Sequence, residues 1–99
     1  MGLQRTSRPP NAWTEDYVDW LSDQAQERQR AAEMLARTVR ETRRRLRVTQ
    51  AELAARIGST QPSLSRLERG RLTDVGIQMV QRIGSALGME TVVAFQKRH

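Results

Sequence analysis

Residues 49–70, which read TQAELAARIGSTQPSLSRLERG, decide the fold of this 99-residue chain. Thr49 and, three residues later, Glu52 form a capping-box pattern, which is typical of the start of a helix. The pattern predicts a short helix over residues 50–57. Gly58 then ends this helix, because glycine readily adopts the left-handed conformation of the residue that follows a helix.

A second short helix follows the three-residue turn 58–60. We expect it over residues 61–69, because Pro62 falls in the first turn, where a missing N–H leaves no helical hydrogen bond unmade. Gly70 closes this helix. Two short helices joined by a tight turn that contains glycine are typical of a helix-turn-helix in their lengths and in the residues that end them.

Upstream of this unit, residues 14–46 read as helix, since neither Gly nor Pro occurs between Asn11 and Arg56. Residues 22–30 are polar on every side, so the sequence leaves open whether this region is one helix or two. We expect its apolar stripe to consist of Leu35, Val39, Thr42 and Leu46.

Downstream, apolar residues at helical spacing predict a helix over residues 75–87, and Gly88 ends it. Residues 90–96, ETVVAFQ, are rich in β-branched side chains and predict one short strand. A lone strand has unpaired backbone groups, so we expect it to pair with the same strand of a second copy. A frayed tail or a last helical turn is the alternative.

The predicted architecture is therefore all-α, a bundle of four to five helices with one C-terminal strand used in dimerisation. We divide the chain into four parts: a flexible tail (1–12), an N-terminal helical segment (13–30), the helix-turn-helix domain (31–88), and the strand with a basic tail (89–99).

Composition excludes most catalytic chemistry. The chain has no Cys, and its one His is His99, so it cannot build a thiol site, a zinc-thiolate site or a Ser-His-Asp triad. Asp16, Asp19 and Asp23 share one helical face, but nothing else supports an acid/base pair. We expect no enzyme activity, no metal and no cofactor. No apolar run approaches the ~20 residues of a membrane span. The N-terminus has no signal-peptide core, which predicts a cytoplasmic protein.

The charge is unevenly distributed along the chain. The net charge is +6, and 16 of the 17 basic residues are Arg. Residues 13–27 carry −5 and residues 28–47 carry +6. A small basic domain is a candidate for nucleic-acid binding, although Arg enrichment could also reflect genome composition. An acidic segment followed by a basic one indicates two different tasks.

About half of the chain, residues 39–87, resembles the Cro/cI (XRE) class of phage repressors. The resemblance rests on TQAELA at 49–54, Gly58, QPSLSRLERG at 61–70 and ALG at 86–88. It implies a lambda-repressor-like domain whose recognition helix, residues 61–69, enters the major groove of DNA. The expected base-contacting residues are Thr60, Gln61, Ser63 and Arg66.

The chemistry of these residues agrees with that role, because Gln pairs with adenine, Arg with guanine, and a Thr methyl contacts thymine. Pro62 stands where relatives often carry a polar side chain. The expected phosphate contacts are Arg43, Gln50, Arg69 and Arg71. For Arg43 the resemblance also implies an ion pair with Glu68, and such a pair can itself orient the Arg toward a phosphate.

A strand directly after the helix-turn-helix resembles antitoxins of the HigA and HipB type. That resemblance implies a homodimer on a palindromic operator, paired through Thr91, Val92, Val93, Ala94 and Phe95. It also implies an autorepressing antitoxin that binds a basic, HigB-like toxin. The expected contact surface is an aromatic stripe with acidic neighbours, formed by Trp13, Tyr17, Trp20 and Leu21.

Two alternatives remain. The stripe packs on its own domain or on the sister subunit, or the protein is a stand-alone or phage-derived regulator without a toxin. The helix-turn-helix pattern of helix starts, turn and helix ends disfavours a third class, an RNA-binding or structural basic protein.

Overall fold

The computed structural model describes residues 8–97 and contains four α-helices in that range. The helices are α1 (Glu15–Arg45), α2 (Gln50–Arg56), α3 (Gln61–Glu68) and α4 (Ile77–Ala86). The predicted all-α helix-turn-helix bundle is confirmed. The fourth helix begins two residues later than predicted, because Gly76 is its extended N-cap residue.

The long upstream region forms one continuous helix. α1 has 31 residues, which corresponds to about 46 Å at 1.5 Å per residue. This length matches the 48 Å long dimension of the molecule. The buried residues of α1 all lie at or after Ala32. Residues 13–28, which comprise the two residues before α1 and its first 14 residues, are called the arm below.

The apolar stripe predicted on α1 is only partly correct. The fully buried residues of α1 are Ala32, Ala36, Val39 and Arg43, and of the predicted stripe Val39 is buried while Leu35 is partly buried against the core. Leu46 is 40% exposed. The sequence pattern favours large apolar side chains, whereas the buried residues of α1 include two small alanines and an arginine that is paired with Glu68 of α3. Small side chains let two helix backbones approach closely.

The core joins all four helices around Leu53 and Leu64, both fully buried. It holds α2 and α3 against α1 on one side and α4 on the other. Burying such side chains drives folding, since each contributes roughly 1.5–3 kcal/mol of transfer free energy. Its buried members are Val39, Leu53, Ala54, Ile57, Leu64, Leu67, Ile83 and Leu87.

The capping box predicted at the start of α2 is confirmed. The Thr49 Oγ1 accepts a hydrogen bond from the Glu52 backbone N–H at 3.0 Å. In return the Thr49 N–H donates to Glu52 Oε1 at 3.0 Å. These hydrogen bonds lower the pKa of Glu52 below its usual value.

Thr49→Ala removes the cap and leaves an N–H at the start of α2 without its acceptor. We expect the free energy of unfolding to fall by about 1 kcal/mol. Chemical denaturation followed by circular dichroism measures this loss. Thr49→Ser keeps the hydroxyl and is the matched control, so an equal loss in both variants would contradict the capping role.

Three glycines end helices with the predicted left-handed backbone, and Gly88, which follows α4, has φ of +71°. Gly58 and Gly70 both have φ of +69°. At Gly70 a second constraint applies, because an added Cβ would lie 3.3 Å from Glu33 Cγ on α1. Gly70 therefore lets the end of α3 lie directly against α1.

The strand predicted over residues 90–96 is not formed in the single chain: within residues 8–97 the structure contains no strand. A strand requires a neighbour for its backbone hydrogen bonds, and residues 90–96 form no strand pairing with any other part of residues 8–97. Thr91 packs against Gly84 of α4, whose missing side chain leaves room for the Thr91 hydroxyl. Val92, Val93 and Phe95 are exposed.

Some predictions concern residues outside the described range. The flexible tail predicted over residues 1–12 lies partly there, as does the end of the basic tail with His99. Within residues 8–97, no helix is both long and apolar enough to cross a membrane.

Candidate nucleic-acid interface

A buried ion pair ties the helix-turn-helix to α1. Arg43 Nε and Nη2 donate to the two carboxylate oxygens of Glu68 at 2.6 and 2.8 Å. Arg43 Nη1 donates to the Val48 carbonyl at 2.9 Å. Gln50 Nε2 on α2 donates to Glu68 Oε1 at 3.0 Å. One carboxylate on α3 thus gathers donors from α1 and α2.

Both members of the pair are charged at neutral pH. Burial by itself raises the pKa of Glu68, but the hydrogen bonds from Arg43 and Gln50, together with the nearby positive charge, lower it below the usual value. The hydrogen bond to Glu68 raises the pKa of Arg43. The charged forms are therefore the ones that the folded state stabilises.

The structure contains the ion pair expected between Arg43 and Glu68. Arg43 is 8% exposed, and all three of its guanidinium nitrogens donate within the domain. Arg43 therefore links α1 to α3, and its contact with a phosphate stays a prediction. The Gln50 amide is also engaged by Glu68, at the α2–α3 contact.

Two side chains that the sequence analysis did not single out hold the end of α3. Arg40 Nη1 donates to the Glu68 carbonyl at 2.6 Å, and Gln29 Nε2 donates to the Gly70 carbonyl at 3.1 Å. Both come from α1. Helix C-termini leave carbonyls unpaired, so these donors stabilise the end of α3. The sequence signal that could have identified Arg40 is its position on α1, since it lies about one helical turn before Arg43.

The outward face of α3 is polar and exposed. Thr60 is the N-cap, and its Oγ1 accepts a hydrogen bond from the Ser63 N–H at 3.3 Å. Gln61 and Arg66 are exposed, and Ser63 is half-buried. The opposite face is buried through Leu64, Leu67 and Glu68. The four predicted base-contacting residues therefore lie together at the start and along the open side of α3.

Two predicted phosphate contacts lie past the C-terminal end of the same helix. Arg69 is the C-cap residue of α3, and its Nε donates to the Ser65 carbonyl at 3.4 Å. Arg71 follows Gly70 and is exposed. The outward surface of the unit thus carries Gln61 near one end of α3 and a cluster of guanidinium groups near the other.

Comparison with known proteins agrees with this geometry. A family described as a helix-turn-helix domain matches residues 17–94. The chain belongs to this helix-turn-helix family. One relative, from Methanothermobacter thermautotrophicus, is named an uncharacterized HTH-type transcriptional regulator. It is 41% identical over 54 residues, which make up 54% of this chain and 77% of the relative.

The family match begins at residue 17, inside the arm of this helix-turn-helix protein. The aromatic residues of the arm lie at the N-terminal end of the arm. Trp13 is 94% exposed. Tyr17 and Trp20 stack with ring centroids 5.9 Å apart and an interplanar angle of 26°. Leu21 is 45% exposed. The four predicted partner-binding residues thus comprise one stacked pair, Tyr17 and Trp20, and two exposed side chains, Trp13 and Leu21.

An open groove runs along the side of the helix-turn-helix domain between α1 and α4. Its volume is about 450 Å³. One wall comes from α1, with Met34, Leu35 and Thr38, and the other comes from α4 and the segment after it, with Val80 and Met89. Of the residues predicted for dimerisation, Thr91 and Val92 line this groove, whereas Val93, Ala94 and Phe95 are exposed beyond it.

Within residues 8–97, no three His, Asp or Glu side chains are grouped in a way that could hold a metal ion.

Proposed function

We propose that the protein is a DNA-binding transcriptional repressor that recognises a specific operator sequence. One observation carries this proposal: α3 exposes Gln61 in its first turn and Arg66 in its last turn, while the buried Glu68 ties the helix to α1 and α2. A rigidly held helix with polar side chains on its open face is the device that reads base edges in the major groove. The proposed role involves no catalysis.

The side chains on this surface have different roles in the proposed complex. Gln61 and Arg66 hydrogen-bond to base edges. Thr60 and Ser63, at the start of α3, belong to the same base-contacting surface. Arg69 and Arg71 bind phosphates, which sets affinity and register without reading sequence. Pro62 is exposed between the readers and offers only an apolar contact.

The proposed active form is a homodimer on a palindromic operator. Helix-turn-helix dimers present two recognition helices about one DNA turn, ~34 Å, apart. The experiment that tests the function is selection of bound duplexes from a random DNA pool. We expect enrichment of an inverted repeat whose half-sites are separated by about one turn. Recovery of random sequence alone would contradict the proposal.

A second candidate function is that of an antitoxin that autorepresses its operon and neutralises a HigB-like toxin. The resemblance to HigA and HipB antitoxins supports it. The exposed Trp13 and Leu21 of the arm also support it, because their acidic neighbours suit a basic protein. A stand-alone or phage-derived regulator without a toxin is the alternative.

Affinity purification from the native host distinguishes an antitoxin from a stand-alone regulator. Nuclease treatment and high salt remove contacts that run through DNA. A small basic protein recovered in near-stoichiometric amount, and lost in a Trp13→Ala/Trp20→Ala variant, is the result expected for an antitoxin. Recovery of the repressor alone favours the stand-alone regulator.

A further inference from the structure

The C-cap residue of each helix is followed by a residue with left-handed backbone, and the residue after α1 differs from the other three. Gly58, Gly70 and Gly88 occupy this position after α2, α3 and α4, with φ angles between +69° and +71°. After α1 the position is occupied by Arg47, with φ of +58°. Among residues 8–97, Arg47 is the single residue other than glycine that has a positive φ.

The backbone at position 47 is one that glycine adopts most easily. The Arg47 N–H donates to the Arg44 carbonyl at 3.0 Å, and the Val48 N–H donates to the Arg43 carbonyl at 3.0 Å. These two hydrogen bonds form the Schellman motif, in which the left-handed residue is usually glycine. A residue with a side chain is strained there, because its Cβ comes too close to the following carbonyl oxygen. The side chain of Arg47 therefore lowers the stability of the fold.

The Arg47 side chain makes no compensating contact inside the domain. It is exposed, and its guanidinium group has no hydrogen bond or ion pair with any of residues 8–97. Arg40 and Arg43 on the same helix, by contrast, both donate to Glu68. Arg47 thus keeps a full positive charge and five unused N–H donors. Strained residues of this kind cluster at ligand-binding sites, which indicates a ligand outside the chain.

The segment that begins at Arg47 is tied to one side of α3. The carbonyl of Val48, the next residue, accepts from Arg43, which holds Glu68 of α3. Gln50, two residues further on, also donates to Glu68. Arg47 is therefore fixed near the side of α3 that carries Glu68.

That side of α3 also carries a predicted base-contacting residue. Gln61 and Ser65 precede Glu68 by seven and three residues, so the three residues lie on one side of the helix. Glu68 is buried, Ser65 is half-buried and Gln61 is exposed. The side that faces the segment after Arg47 thus leads outward to Gln61 at the start of α3.

The surroundings of Arg47 are basic. Residues 42–51 contain four arginines and no acidic residue. Arg44 is exposed, and its positive charge helps to lower the pKa of Glu68. In a helix-turn-helix on DNA, the helix before the recognition helix crosses the sugar-phosphate backbone. Here that helix is α2, and Arg47 lies three residues before its first residue.

We propose that Arg47 binds a phosphate of the DNA backbone where α2 crosses it. The inference rests on the proposed DNA-binding function and adds a contact on a second side of α3, since Arg69 and Arg71 lie past its C-terminal end. Phosphates border the major groove on both edges, so a helix in that groove is held best from two sides. A planar guanidinium suits a phosphate, because two N–H groups donate to its oxygens in parallel.

Arg47→Gly tests the proposal, because its two expected effects have opposite directions. The variant relieves the strained backbone, so its melting temperature should rise by about 5 °C. It also removes the phosphate contact, so the dissociation constants for the selected operator and for a scrambled duplex should both rise roughly fivefold. The salt dependence of the affinity should fall by about one ion per protomer.

Fluorescence anisotropy with the full-length protein, between about 50 and 200 mM salt, measures the affinity and its salt dependence. Thermal denaturation followed by circular dichroism measures the melting temperature. An affinity and a salt dependence equal to those of the natural protein would overturn the proposal. A melting temperature below that of the natural protein would overturn the argument from strain.

Two variants serve as matched controls. Arg45→Gln also removes one charge, but Arg45 lines the groove between α1 and α4 and not the contact with α3, so we expect a change of less than about twofold in affinity. Arg47→Lys keeps both the charge and the strained backbone, so its affinity and melting temperature should stay close to those of the natural protein. If Arg45→Gln weakened binding as much as Arg47→Gly, net charge would explain the loss and the specific contact would be excluded.

The same titrations separate this inference from the proposed function. If the natural protein selects an operator and Arg47→Gly binds it equally well, the Arg47 contact is wrong and the repressor proposal stands. If the natural protein binds DNA without sequence preference, the repressor proposal fails, and the change in salt dependence still decides the contact. Failure of the natural protein to bind either duplex would overturn both. A carboxylate of a protein partner is the other ligand that suits this guanidinium, and loss of such a partner from Arg47→Gly with unchanged DNA affinity would overturn phosphate binding.

Discussion

Glu68→Ala is expected to lower the free energy of unfolding by about 3–5 kcal/mol, because it leaves the buried guanidinium of Arg43 without its counter-charge. Glu68 is 2% exposed and accepts from Arg43 and Gln50, so the substitution removes one acceptor for two helices at once. For a domain of this size the melting temperature should fall by more than 10 °C, at ~4–8 °C per kcal/mol.

A matched double variant separates the lost pair from a simple cavity. Arg43→Met/Glu68→Leu removes both charges and keeps apolar volume, and such replacements of buried ion pairs are often nearly neutral. We expect the double variant to recover most of the stability that Glu68→Ala loses. If the double variant is as unstable as Glu68→Ala, the unpaired charge is not the cause.

The same ion pair makes stability depend on pH in a predictable direction. The folded state lowers the pKa of Glu68 below its usual value of 4.5. This contribution is fully present above pH 4.5 and is lost as the pH falls through the lower pKa of the folded state. Denaturation of the natural protein and of Glu68→Gln between pH 3 and 7 should therefore show their difference in stability shrinking toward the acid end.

Gln61→Ala and Arg66→Ala are expected to weaken binding to the selected operator far more than binding to random DNA. Each bidentate contact with a base edge contributes roughly 1–3 kcal/mol of discrimination. Both side chains are exposed on α3, so neither substitution should unfold the domain. Fluorescence anisotropy with the operator and with a scrambled duplex of equal length measures the ratio of the two affinities.

Arg69→Ala and Arg71→Ala are the controls for that experiment. As proposed phosphate contacts they should weaken binding to both duplexes equally and reduce the salt dependence of the affinity by about one ion each. If Gln61→Ala and Arg66→Ala also weakened both duplexes equally, they would not be base-reading residues.

The local order of the chain could be predicted from particular residues. Thr49 and Glu52 placed the start of α2, and Gly58 and Gly70 placed the ends of α2 and α3 with the left-handed backbone that the structure contains. These signals act within one turn of helix, so their outcome depends little on the rest of the fold. The resemblance to the Cro/cI class implied outward-facing Gln61 and Arg66, and both residues are exposed.

The predictions that failed, and the role of Arg43 that the sequence left open, depended on contacts between distant parts of the chain. Arg43 is buried because Glu68, 25 residues later, meets it across the α1–α3 contact. The stripe on α1 was misread in part because Ala32 and Ala36, which are weak hydrophobic signals, are buried. Residues 90–96 have strand composition, but a strand needs a neighbour, and no strand pairing forms within residues 8–97.

The sequence by itself determined the helices, their caps and the polar face of α3, because propensity, capping and periodicity are properties of neighbouring residues. Only the tertiary structure decided which of the many arginines is buried, that α1 is one helix with an arm beyond the core, and that a groove opens beside it. The physical reason is that burial and desolvation are properties of the surroundings that the fold assembles, so the same guanidinium group can be a solvent-exposed DNA ligand or the buried partner of a carboxylate.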